Sequence, residues 1–276
     1  MPGLQDNLRR WRDAAEIDWF SQFIKAWIPF NAWMTDTYGD LTDRELLDKV
    51  KDGHNVVYNR VVPMLTRRLP QARDVQAVGW RDDNPEAQDF RLQIAELHRL
   101  LQSCEVEGRR GRVSFETVDI GANSHKDEQR NKWRRDFRVR RDHPTKGEIT
   151  LEITATRTSA AFSLTLPQHD RRQLEDAPTF QALRDEQRST LLDMFEMVAP
   201  RRIITVLAPH GHADVLAFGD NVGFINDPTK VFSAMVDVIY NLRNALFHGA
   251  ITPNETHNAI YEPAYHIVMR CVRCTV

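Results

Sequence analysis

Arg243 and His248 stand five residues apart in Tyr240-Asn-Leu-Arg-Asn-Ala-Leu-Phe-His-Gly249, with Asn244 directly after the arginine. Their side-chain types suit cleavage of RNA without a metal ion. That reaction needs a base for the 2′-hydroxyl, a proton donor for the leaving oxygen, and positive charge beside a phosphorane-like transition state. Histidine titrates near neutrality and serves either proton role. Arginine stays charged, and its planar fork matches phosphate oxygens. Asn244 and His248 are four apart and share a helix face. Arg243 and His248 are instead separated by about 140° on an ideal helix. They meet at one phosphate only if the helix loosens near Gly249, or if a second copy of the chain supplies the missing group across a twofold axis.

The elements that must hold these groups read as helix, strand and helix again. Phe20, Phe23, Trp27 and Met34 continue a helical spacing that begins at Leu4, Leu8 and Trp11, and Pro29 predicts a kink or break inside it. Thr42-Asp-Arg-Glu45 reads as a capping box, Gly53 as an interruption, and Phe90 to Leu101 as a further helix. From about Glu105 the pattern changes. Val113–Val118, Trp133–Val139, Ile149–Thr156 and Ala161–Leu166 are short β-branched or aromatic segments, predicting an antiparallel sheet of about four strands. Asp176-Ala-Pro178 starts a helix that Pro200 ends, and residues 201–208 read as either a strand or a short buried helix. Asp227-Pro228 opens a strongly apolar helix that Gly249 stops, and Thr252-Pro-Asn-Glu255 predicts a capping box for the last one. The fold class expected is mainly α (α+β overall): helices over 1–104, a small antiparallel β insertion over 105–168, and helices over 169–276 carrying the motif.

Composition narrows the classes. With 276 residues, 41% hydrophobic and 28% charged, the chain is an ordinary globular one. A net charge of −2 argues against coating nucleic acid with the whole surface but permits a local basic patch. No apolar run reaches the roughly 20 residues a membrane helix needs, and the start has no apolar leader. These features predict a cytoplasmic location and no membrane partner. Cys271-Val-Arg-Cys274 is a lone pair of cysteines and reads as core, so no metal and no cofactor is expected.

The stretch Arg243-Asn-Ala-Leu-Phe-His-Gly249 resembles the Arg-x(4–6)-His signature of HEPN domains. Residues 252–272 resemble the final helix of bacterial HEPN proteins with this motif, and Phe23–Trp33 is similar to their opening helix. The resemblance spans roughly residues 15–70 and 225–275. It implies a helical bundle, a homodimer with a composite cleft, and metal-independent endoribonuclease activity of the kind used by toxins and anti-phage defence systems. It also implies RNA as substrate, and an antitoxin or other regulatory partner. Arg243 would stabilise the phosphate, His248 would act as general base or acid, and Asn244 would orient the histidine or bind substrate. The alternatives are a non-catalytic sensing or scaffold module, a nucleotide-binding module, and the partner of a nucleotidyltransferase.

Other residues invite chemistry less directly. If residues 133–140 form one strand, Arg134, Arg138 and Arg140 line one face with Asp136, either a surface for RNA phosphates or a solvated salt-bridge ladder. Trp11, Trp19, Phe20, Trp27, Phe30 and Trp33 read as core, and Asn31 as a polar group near the cleft or at a helix end. His210-Gly-His212 with Asp214 reads as a surface turn. His257 and His266 lie on the last helix.

Overall fold

The computed structural model describes residues 18–66, 84–108, 111–142, 147–155, 158–209, 214–219 and 222–275. Leu4, Leu8, Trp11 and the His210–His212 turn lie outside them. The chain is α+β and forms two compact units, one from residues 1–118 with 204–276 and one from Asp119–Ile203.

The first unit is helical. Its helices are α1 (Trp19–Tyr38), α2 (Asp43–Lys51), α3 (Val56–Leu65), α4 (Pro85–Ser103), α8 (Pro228–Phe247) and α9 (Glu255–Arg273). Two small antiparallel ribbons accompany them: β1 (Glu107–Gly108) with β2 (Gly111–Arg112), and β9 (Val215–Ala217) with β10 (Gly223–Ile225). The core collects Phe23, Trp27 and Phe30 of α1, Ile94 and Leu97 of α4, and the α8 stripe Val231, Phe232, Met235, Val238, Ile239 and Leu242. Helix α9 packs against α1 and α4, and its buried Tyr261 donates a hydrogen bond to Leu242 O of α8 at 2.9 Å. Burial pushes that phenol well above its ordinary range.

Three local expectations are corrected here. Helix α1 runs unbroken through Pro29. Pro29 and Lys25, whose carbonyl loses its partner, both sit on the exposed side, where water can serve that oxygen. The last helix starts at Glu255, because Asn254 rather than Thr252 is the cap, its Oδ1 accepting from the His257 N–H at 2.8 Å. Pro253 therefore precedes the cap. The segment Val113–Val118 is mostly irregular, and Phe115 instead fills the helical core at 5.5 Å from the Phe224 ring. The capping box at Thr42–Glu45 forms as its sequence requires.

The second unit holds a four-stranded antiparallel sheet in the order β4 (Asp127–Lys132), β5 (Arg135–Arg141), β6 (Ile149–Ala155), β7 (Thr158–Leu166). Helices α5 (Arg171–Asp176), α6 (Pro178–Gln181) and α7 (Asp185–Met197) accompany it, and β3 (Val118–Ala122) pairs with β8 (Arg201–Ile204). One sheet face carries Phe137, Val139, Ile149, Leu151, Ile153 and Phe162, which pack with Leu174, Phe180, Leu191, Met194 and Phe195 of the helices. That shared core is why the compact unit extends to Ile203 and takes in helices beyond residue 168. Strand β4 escaped notice because Asp-Glu-Gln-Arg-Asn-Lys has no apolar alternation, as an edge strand permits.

Candidate functional site

Helix α8 fixes the motif. Asp227 caps its first turn, accepting from the Lys230 N–H at 3.1 Å, with Pro228 at the first helical position. Regular helix holds to Phe247, and His248 is the cap residue. Gly249 then takes φ +66°, which costs glycine little. The Ala250 N–H reaches Ala245 O at 2.9 Å and the Gly249 N–H reaches Leu246 O at 3.2 Å, the paired closure of a glycine-ended helix. The helix does not loosen between Arg243 and His248, so the two stay on different faces of one copy.

Arg243 is gripped along one edge. Its Nη1 donates to Asn244 Oδ1 at 2.9 Å and lies 3.2 Å from Asp43 Oδ2, in the first turn of α2. The guanidinium carbon sits 4.5 Å from the Phe247 ring centroid and 5.9 Å from that of Trp27. Arg243 Nε is buried with no hydrogen-bond partner, and Nη2 has none among the described residues. A guanidinium meets phosphate oxygens through the N–H groups that solvent can reach, and Nε is covered here. Asn244 is buried and acts as a brace for the arginine. His248 is exposed at the helix end; its backbone N–H donates to Asn244 O at 2.9 Å, but no hydrogen bond or ring contact joins its imidazole to Arg243 or Asn244 among the described residues. The structure thus brings Arg243 and Asn244 together and leaves His248 on the surface.

Beside this lies a charge cluster that the sequence did not reveal. Asp237 of α8 is buried, with Arg44 Nη1 at 2.8 Å, Lys51 Nζ at 3.8 Å and Asn241 Nδ2 at 3.1 Å. Arg44 also lies over the Tyr240 ring at 4.9 Å. Adjacent residues of α2, Asp43 and Arg44, therefore clamp two charges of opposite sign on α8. The capping box was the only sequence signal pointing to this turn. Asn31 Oδ1, one turn along α1 from Trp27, is buried without a partner.

The basic stretch resolves differently from its reading as a single strand. Trp133 and Arg134 form the two-residue turn between β4 and β5, so Arg134 leaves the strand face. On that face Arg138 is engaged by Asp127, with Nε–Oδ1 3.1 Å and Nη2–Oδ2 2.6 Å, which holds the Asp127 carboxyl below its ordinary range. Arg140 Nε lies 3.4 Å from Asp142. Arg141 is buried, donating from Nε to Val198 O at 2.7 Å and from Nη2 to Asn123 O at 2.8 Å.

His257 Nδ1 sits 3.0 Å from Asn254 Oδ1, and the His266 ring packs against Trp19 at 5.6 Å. Cys271 and Cys274 are free and buried, and burial raises both thiols. Among the described residues no helix is long and apolar enough to cross a membrane. No family model, no curated protein and no solved structure matches this chain.

Proposed function

We propose that this chain is a HEPN-type, metal-independent endoribonuclease acting as a homodimer on cellular or phage RNA, in toxin or anti-phage defence. The observation that supports it most is Arg243: its Nη1 is braced by Asp43 and Asn244, its Nη2 has no partner among the described residues, and an exposed histidine follows five residues later. The substrate 2′-hydroxyl loses its proton to one His248 and its oxygen attacks the adjacent phosphorus. The P–O5′ bond breaks, and the departing oxygen takes a proton from the His248 of the second copy. The products are a 2′,3′-cyclic phosphate and a free 5′-hydroxyl. Arg243 neutralises the charge that builds on the non-bridging oxygens. A second copy is needed because one helix keeps Arg243 and His248 on different faces.

The ion pair with Asp43 favours a second reading, a non-catalytic HEPN-like module in which Arg243 only ties α8 to α2. Cleavage of mixed tRNA and mRNA in excess EDTA separates the two. Nuclease chemistry requires cleavage by the wild type and its loss in both Arg243→Ala and His248→Ala. The module reading requires a folded wild type that binds without cutting.

A further inference from the structure

The β4–β5 hairpin closes through the pair Lys132↔Arg135, leaving Trp133 and Arg134 as its two-residue turn. Both have positive φ, 52° and 58°. Tight hairpin turns of this kind strongly favour Asn-Gly, and a bulky residue at positive φ is an outlier. The chain thus places its two largest tip residues where the backbone tolerates them least. Strained positions of this sort cluster at functional sites. Trp133 is 57% exposed, with Lys132 Nζ at 5.6 Å from its ring and one edge resting on buried Phe137. Three cations surround it within four consecutive residues, and the nearest carboxylate in sequence, Asp136, accepts from Asn131 Nδ2 at 2.6 Å.

We propose that this hairpin tip binds single-stranded RNA. Trp133 stacks on a base, and Lys132, Arg134 and Arg135 meet the flanking phosphates. An exposed ring amid cations is the combination that grips unpaired nucleotides with little sequence preference. The tip offers a single apolar group, too little for insertion into a bilayer. The sheet face behind it is a poor alternative, because Asp127 already occupies Arg138. The inference does not rest on cleavage by Arg243 and His248.

The test uses the full chain in the His248→Ala background with EDTA, so that binding is read whether or not the protein cuts. Anisotropy of a labelled single-stranded RNA is compared for the parent, Trp133→Tyr, and the double variant Trp133→Asn with Arg134→Gly. The double variant carries the turn sequence the backbone prefers, so it should melt at a higher temperature yet bind about tenfold more weakly. Trp133→Tyr should bind as the parent does. Unchanged RNA affinity in the double variant overturns the proposal. So does a parent that binds phosphatidylserine vesicles through this tip but not RNA.

Discussion

Asp43 Oδ2 lies 3.2 Å from Arg243 Nη1, so the first turn of a short capped helix holds the arginine of the motif through one of its two terminal nitrogens. Both partners are partly solvent-exposed, and such a pair contributes at most about 1 kcal/mol to stability. Its larger effect is on position. Asp43→Ala should lower RNA cleavage about tenfold, while the melting temperature moves by no more than a few degrees. Parallel rate and melting measurements check this. A loss of activity fully explained by unfolding contradicts it.

The buried cluster at Asp237 behaves in the opposite way. Removing the carboxylate takes an ion-pair partner from buried Lys51 and from Arg44. Asp237→Ala should cost about 3 kcal/mol in urea unfolding of the chain, against less than about 1 kcal/mol for Asp43→Ala. Equal costs for the two variants would contradict this assignment of a structural and a positioning acid.

His98 of α4 supplies a pH dependence. Its ring lies 6.0 Å from Phe115 and 6.2 Å from Phe224, and its Nδ1 is buried without a partner. Burial lowers its pKa below the ordinary value, and Glu116 opposes this more weakly. With the folded pKa depressed, the unfolded chain binds the proton more readily. Stability is therefore full above about pH 6.5, the ordinary histidine pKa, and is lost as pH falls from there through the folded value. His98→Phe should flatten the melting temperature between neutral and mildly acidic pH. A slope unchanged by that substitution assigns it to other groups.

Much of the scaffold was legible because it is written in local chemistry. Asp227-Pro228, Gly249 and the Thr42–Glu45 box mark helix ends through backbone groups that any helix must satisfy. The α8 stripe was legible from its spacing. Strand β4 was not, since none of its six residues is buried and it shows no apolar alternation, and the turn at Trp133–Arg134 runs against the turn preferences by which hairpins are read. At the candidate site, Arg243, Asn244 and His248 were legible as types at a spacing. Asp43 and Asp237 were not, because an ion pair between helices far apart in sequence leaves no local pattern.

The most direct measurement is the chemistry of the cut ends. RNA incubated with wild-type protein in excess EDTA should yield fragments ending in 2′,3′-cyclic phosphate and starting with a 5′-hydroxyl, and folded His248→Ala protein should yield none. Fragments that persist in folded His248→Ala, or that carry 5′-phosphate ends, would contradict the proposed reaction.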